Sequence, residues 1–286
     1  MALTELYSFQ FGTQVFGGAG SPYQITSIDG LESLPEIRNQ DDNRGFADGM
    51  FSGRDFLAGR TITMIIETFG SSGNSAQVNF NTLQSVLLPQ TSGTTPLYFK
   101  MPAITGDQFI NCRVRGLRTS ITPDYTYGKI TSQLEVYCPD PRYYSSNQQT
   151  ATMAYTPPTG RTYNRIYNLV YGGGSTLITT TITNNGWTDT YPTITLNGPI
   201  INPILGNTTQ NAALYFVGTY SSADLLVVDL YNKLITLNGQ PARNLLISGE
   251  WFSAQPGNND FYLTGNAGST LIGTTAATVV WNSAYI

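Results

Sequence analysis

Charge is scarce in this chain, at 11% of 286 residues, yet four arginines and four aspartates fall between Pro35 and Glu67. Arg38, Arg44, Arg54 and Arg60, with Asp41, Asp42, Asp48 and Asp55, could hold a partner's polar surface. The Asp41–Asp42 pair, like Asp224 with Asp229, could instead supply carboxylates for glycoside cleavage, which needs two of them across a sugar cleft. Acidic residues in hairpins and loops are usually solvated. The chain has no histidine, which removes Ser-His and Cys-His nucleophiles and imidazole-held metals together. Cys112 and Cys138 are the two cysteines, too few for a four-ligand zinc site or a disulfide scaffold. Gly17-Gly18-Ala19-Gly20 lacks the Lys-Ser/Thr of a phosphate cradle and runs into Ser21-Pro22 rather than a helix. No G-x-S-x-G, H-E-x-x-H or EF-hand spacing occurs. The sequence thus offers no catalytic, cofactor-binding or metal-binding residue, and an enzyme is not expected.

The elements around the charged stretch give it another meaning. Polar, glycine-rich sequence from Arg38 to Gly59 leads into Thr61-Ile62-Thr63-Met64-Ile65-Ile66-Glu67, a β-branched run that reads as a buried strand. A long charged loop is therefore anchored on a sheet. Loops of this length are uncommon in compact domains unless functional. A solvated surface loop is one reading. A protein interface is the other, because mixed charge beside Phe46, Met50, Phe51 and Phe56 suits a partner better than water.

Twenty-nine glycines, eighteen tyrosines and many threonines point to short strands joined by turns, an all-β chain with minor helix. A net charge of -4 argues against an electrostatic nucleic-acid binder, which needs clustered Lys and Arg in excess. No basic-then-apolar leader follows Met1, and Leu271 to Trp281 is too short and threonine-rich to span a bilayer. Synthesis in a cytoplasm without membrane insertion is the expectation.

Residues 6 to 16 read as a strand and turn, with Tyr23 to Ile28 pairing as a second strand. Between Asn74 and Gln90, Ala76, Phe80, Leu83 and Leu87 place one apolar stripe on a helix capped by Asn74 or Ser75. That single stripe predicts a helix lying on a sheet. Leu97 to Met101, Phe109 to Thr119 and Lys129 to Cys138 follow as strands. A hairpin centred near residue 125 sets Arg115 opposite Glu135, Arg113 opposite Tyr137 and Cys112 opposite Cys138. Two buried thiols or a strained cross-strand disulfide both fit that register. Pro139 and Pro141 break the ladder, and Ser, Gln, Thr and Pro follow, so the domains are expected to be 1–145 and 146–286. The second half reads as evenly spaced strands, from Arg165 to Val170, Thr176 to Thr183, Thr193 to Leu196, Ile200 to Leu205, Ala213 to Tyr220 and Leu225 to Tyr231. Lys233 to Leu237, Asn244 to Ser248, Asp260 to Thr264 and Ala277 to Trp281 complete a predicted sandwich. One hairpin turns at Tyr231-Asn232-Lys233, and Asn238-Gly239 is a second turn.

Two sets of residues carry a resemblance. Arg44-Gly45-Phe46-Ala47-Asp48-Gly49, then Leu57-Ala58-Gly59-Arg60-Thr61-Ile62-Thr63 into a strand, resembles the N-terminal domain of siphovirus distal tail proteins. Asn184-Asn185-Gly186, Tyr191 to Pro199, Asn202-Pro203, Val227 to Leu230, Gln255 to Asn259 and Val280 to Tyr285 are similar to the C-terminal galectin-like sandwich of the same components. The resemblance implies a split β-barrel or sandwich with one packed helix, followed by a galectin-like β-sandwich. It further implies a structural virion protein at the tail tip. There it would form a homohexameric ring between the tail tube protein and the tip or tail-associated protein, assembled in the host cytoplasm. Arg38, Arg44, Asp48, Arg54, Asp55 and Arg60 become the expected subunit or tube contacts. DNA would pass through the lumen without specific binding.

A carbohydrate-binding adsorption module is the alternative. Trp187 and Tyr191 are its candidate sugar contacts, since a ring face can stack on a pyranose, and Trp187 beside Gly186 and Asp189 is the more exposed expectation. Trp251 and Trp281 are expected in the core, where sandwich aromatics mostly sit.

Overall fold

A computed structural model describes residues 3, 5–89, 91–102, 106–155, 177–265 and 275–286. Its contacts divide the chain into two compact units between Asn147 and Gln148.

Unit 1 holds β1 (Ser8–Phe11), β2 (Gln14–Phe16), β3 (Tyr23–Asp29), β4 (Ile37–Arg38), β5 (Asp42–Asn43), β6 (Met50–Phe51), β7 (Phe56–Leu57) and β8 (Arg60–Phe69). Helix α1 (Gly73–Val86), β9 (Thr95–Lys100), β10 (Gln108–Ser120), a 3-10 turn (Pro123–Tyr127), β11 (Lys129–Cys138) and β12 (Tyr143–Ser145) follow. The main sheet runs β2-β1-β9-β10-β11-β8-β3, with antiparallel pairing along this path. Residues 6 to 16 therefore form two strands rather than one, and β3 pairs with β8, not with the first strand.

Strand β8 alternates. Ile62, Met64 and Ile66 are buried while Ile65 is exposed, so the β-branched run covers one face instead of being buried on both. Helix α1 buries Ala76, Phe80 and Leu83, and Leu87 just beyond it, the stripe the spacing predicts. Its start lies further upstream than Asn74. Ser72 is the cap, its hydroxyl accepting from the Ser75 N–H at 3.4 Å, while the Ser75 hydroxyl accepts from the Ser72 N–H at 2.9 Å. This reciprocal pair satisfies two donors that the first turn leaves free.

The β10–β11 hairpin has the predicted register at Arg113 with Tyr137 and Val114 with Val136. There a β-bulge intervenes, and Glu135 pairs with Gly116 instead of Arg115. Freed from the ladder, Arg115 lays its guanidinium over an aromatic face, 5.2 Å from the Tyr137 ring centre. Cys112 and Cys138 are buried free thiols. A hydrogen bond to Cys138, then burial, pushes the Cys112 thiol well above its ordinary pKa.

Unit 2 comprises β13 (Gln149–Tyr155), β14 (Thr179–Asn184), β15 (Thr193–Asn197), β16 (Ile200–Ile201), β17 (Ile204–Asn207), β18 (Ala212–Phe216), β19 (Thr219–Tyr220) and β20 (Leu225–Asp229). It continues with β21 (Leu234–Leu237), β22 (Gln240–Pro241), β23 (Leu246–Gly249), β24 (Gly257–Thr264), β25 (Thr275–Trp281) and β26 (Ala284–Tyr285). Two sheets, β13-β25-β15-β20-β21-β22 and β14-β24-β17-β18-β23, enclose a core that includes Ile182, Ile194, Leu205, Leu214, Val228, Phe261 and Val279. This is a β-sandwich. The β20–β21 hairpin turns at Tyr231-Asn232-Lys233, and Asn238 and Gly239 both take positive φ, at 51° and 79°, in the next turn. In the Ser-, Gln- and Thr-rich stretch after residue 145, where no strand is predicted, Gln149–Tyr155 forms strand β13, paired with β25. The predicted Ala213 to Tyr220 strand is two strands, parted at Gly218 with φ 126°. The strand read at Arg165 to Val170 lies outside the described residues. The fold is all-β with one α-helix among the described residues.

Candidate assembly surface

The charged stretch is a β-ribbon, not a structureless loop. Asp29 pairs with Thr63, Ile37 with Leu57, Arg38 with Phe56, Asp42 with Phe51 and Asn43 with Met50. These pairs are successive rungs of one long hairpin. Strands β3 and β8 carry it through the sheet, and its distal half continues beyond as a two-stranded arm ending in the Arg44–Gly49 turn. From the Glu36–Ala58 hydrogen bond to the turn each side of the arm has nine residues, roughly 30 Å at about 3.3 Å per residue.

The arm's hydrogen bonds are internal. The Ala58 N–H donates to the Glu36 carbonyl at 2.7 Å, the Gly53 N–H to Asp41 Oδ1 at 2.8 Å, and the Arg44 N–H to the Gly49 carbonyl at 3.4 Å. Gly53 fits because a side chain there would collide with the Gln40 carbonyl across the ribbon. Phe46 is fully exposed at the tip, and Leu34, Ile37, Met50, Phe51, Phe56 and Leu57 are exposed along the arm. Arg44 lies 5.0 Å over the Phe51 ring and Arg54 5.6 Å over Phe56. Cation–π contacts of this exposed kind contribute roughly 0.5–1 kcal/mol each.

Of the six predicted contact residues, Arg38, Arg44, Asp48, Arg54 and Asp55 lie exposed on this arm. Among the described residues the ion pairs are Lys129 with Glu67 and Arg142 with Asp140, so the arm's charges are not neutralised by one another. Arg60 is different. It is 4% exposed, and its Nη1 donates to the carbonyls of Gly30 and Leu31 and to the Tyr143 hydroxyl. Its guanidinium sits 4.6 Å from the Tyr143 ring centre. Burial pushes the Tyr143 hydroxyl up to about 12, with the Arg60 charge opposing. Arg60 thus ties the root of the arm to the sheet from inside, and that burial withdraws it from any surface contact in this conformation.

The candidate sugar residues of unit 2 fall into separate ring pairs. Trp187 is 63% exposed and meets Tyr285 edge-on at 4.8 Å. Tyr191 packs against the core and meets Tyr231 at 5.9 Å. Trp281 is buried and donates Nε1–H to the Thr183 carbonyl at 3.0 Å. Trp251 is partly buried against the core, with Arg243 over its ring at 5.7 Å. The acidic pairs serve turns. Asp224 accepts from the Ser221 N–H and hydroxyl and from the Asn238 amide, which hold its carboxyl below the usual range. Asp229 accepts from the N–H groups of Tyr231 and Asn232.

A buried amide network fixes the 251–259 segment of the sandwich. Asn207 Nδ2 donates to the Ser253 carbonyl at 2.9 Å, Asn259 Nδ2 to the Gln255 carbonyl at 2.7 Å, and Ser253 Oγ to Asp189 at 2.8 Å. Asn184 does the same for the neighbouring turn, donating to the carbonyls of Thr188 and Ala254. Residues 185–285, which include most of this framework, match the model of the siphovirus-type tail component, C-terminal domain. Over those residues the chain is similar to the C-terminal domain of siphovirus-type tail components.

Solved structures extend the likeness to the rest of the chain. SPP1 Dit (gp 19.1), described as a paradigm of hub adsorption apparatus in Gram-positive infecting phages, superposes with TM-score 0.67 at 16% identity. The match covers 99% of this chain and 100% of that one. A chain of the phage P2 baseplate in its activated conformation with Ca gives TM-score 0.50 at 10% identity, covering 96% of this chain and 98% of that one. No curated protein matches by sequence. Over the described residues the chain therefore shares the fold of SPP1 Dit, and the all-β reading with a single packed helix holds there.

Proposed function

We propose that this protein is the distal tail hub, a ring of six copies joining the tail tube to the tip and adsorption apparatus. The observation that carries the reading is the arm. A lone two-stranded hairpin is marginally stable in water at best, and this one exposes aromatic and aliphatic side chains on both strands. Such a ribbon gains its order from a partner's surface. A heterologous contact between copies closes into a ring when its rotation divides a full turn. Permanent contacts of that sort usually bury upward of about 2,000 Å².

In this reading Arg38, Arg44, Asp48, Arg54 and Asp55 set the angle and register between copies or against the tube protein, while their apolar neighbours supply affinity. Unit 2 supplies the attachment surface for tip proteins. The protein then resides in the virion tail after assembly in the host cytoplasm. With a net charge of -4, the lumen lets DNA slide without retaining it, because salt-dependent affinity requires phosphates paired by Lys or Arg. The test is the native mass of the purified chain by mass photometry across a dilution series. A sixfold mass supports the ring. A single mass that persists when purified tube protein is added overturns it.

A second reading has one observation in its favour, the exposed Trp187 beside Tyr285. It makes unit 2 a carbohydrate-binding module that docks to the host cell wall. A glycan array with the full chain and with Trp187→Ala tests it. Binding lost on substitution supports this reading, and no binding to any cell-wall glycan removes it.

A further inference from the structure

Unit 1 carries both an uncovered apolar knob and an apolar hollow. The hollow lies between α1, the end of β10, the 3-10 turn and the start of β11, an open cavity of about 290 Å³. Phe80 and Ile130 are nearly buried at its base, Leu117 lines its wall, and Ile121 stands exposed at its mouth. Gln77 offers an amide and Lys129 an ammonium to whatever enters, and no carboxylate lines it. Lys129 gives one donor to Glu67 at 2.8 Å and has two more. The knob is the arm's apex, where fully exposed Phe46 is flanked in sequence by Asp41, Asp42 and Asp48, with Arg44 as the one cation of the turn.

We propose that Phe46 at the apex of one copy's arm seats in this cavity of the next copy. The inference rests on the ring reading and names the surface that receives the arm. The occupant fits in chemistry. An aromatic ring meets a floor of Phe, Leu and Ile, and an aspartate-rich turn meets amide and hydroxyl donors together with the two ammonium hydrogens of Lys129 not given to Glu67. The two surfaces differ, so the contact is head-to-tail, the kind that propagates around a ring instead of stopping at a pair. A central aromatic in an apolar pocket with a polar rim is also the usual anatomy of an energetically dominant contact.

The test places a photocrosslinker at the apex, Phe46→p-benzoylphenylalanine, in the full chain. It is irradiated both as purified protein and in assembled tails. The expected adducts join position 46 of one copy to peptides spanning 77–84 or 117–130 of another. Phe46→Ala and Ile121→Asp, both at exposed positions that the fold tolerates, should each weaken self-association at least about tenfold. Multimers whose adducts map elsewhere, with both variants associating normally, overturn the docking and leave the ring standing. Absence of any adduct or multimer between copies, in solution and in tails, overturns both.

Discussion

Excising the arm separates what it does for assembly from what it does for the fold. The Ala58 N–H already reaches the Glu36 carbonyl at 2.7 Å, so the chain ends are in place for a tight turn once Ile37–Leu57 are removed. An Asn-Gly pair in their place supplies the positive φ that a two-residue hairpin turn requires. The connection becomes roughly tenfold shorter, which lowers its closure entropy by about 2 kcal/mol. Against this stand the Arg44–Phe51 and Arg54–Phe56 contacts, roughly 0.5–1 kcal/mol each at exposed sites. Leu31, Pro35 and Arg60, the buried residues at the root, are untouched. The two effects nearly cancel, so the melting temperature of unit 1 should stay within about 4 °C of the parent, while self-association is lost. Differential scanning calorimetry reads the first quantity and mass photometry the second. A loss of stability beyond about 2 kcal/mol would refute the claim that the arm stands free of the body. Undiminished multimers would refute its role in assembly.

Three further outcomes are expected. Arg44→Glu reverses one charge on an exposed strand end and removes the contact over Phe51; it should disperse the multimer on mass photometry while leaving the circular dichroism spectrum unchanged. Leu83→Ala opens a cavity between α1 and the sheet at a fully buried position, costing about 2–5 kcal/mol in urea denaturation. The Tyr143 hydroxyl is raised from 10.0 to about 12 by burial, so the folded state favours its neutral form. That contribution, about 2–3 kcal/mol, is complete below pH 10 and lost as pH rises through 12; denaturation midpoints across that range should fall in the parent and fall less in Tyr143→Phe.

Where local periodicity met a buried face, the sequence was readable. Ala76, Phe80, Leu83 and Leu87 recur at helical spacing, and the structure buries all four. The β10–β11 register was legible up to Val114 with Val136, since a hairpin's symmetry follows from its turn. It failed at Arg115, because a bulge adds a residue without leaving a mark in the pattern. Strand β13 was hidden for a related reason. Along Gln149–Tyr155 only Met153 is fully buried, so its alternation has almost no apolar signal and its existence depends on β25, far along the chain. The β3–β8 pairing is equally non-local, spanning the entire arm. In the arm itself each strand segment is two residues long and exposed, so the ribbon is invisible to any reading that relies on a buried face.

Arg60 marks the limit of composition as a guide to role. It shares its stretch with Arg44 and Arg54, and nothing in Gly59-Arg60-Thr61 sets it apart. Its surroundings come from elsewhere, Gly30 thirty residues back and Tyr143 eighty-three residues ahead. A buried guanidinium without a carboxylate is costly; carbonyls and the Tyr143 ring take the place of water at Nη1 and over the guanidinium face, while Nε and Nη2 are buried without a hydrogen-bond partner. The geometry assigns this one arginine to the inside because it begins β8, where the inward-facing positions of the strand start. The arm's arginines stand beyond the last rung of the sheet, where no body surface exists to bury them. Position along one hairpin, rather than residue type, thus separates the charge that anchors the arm from the charges that remain for a partner.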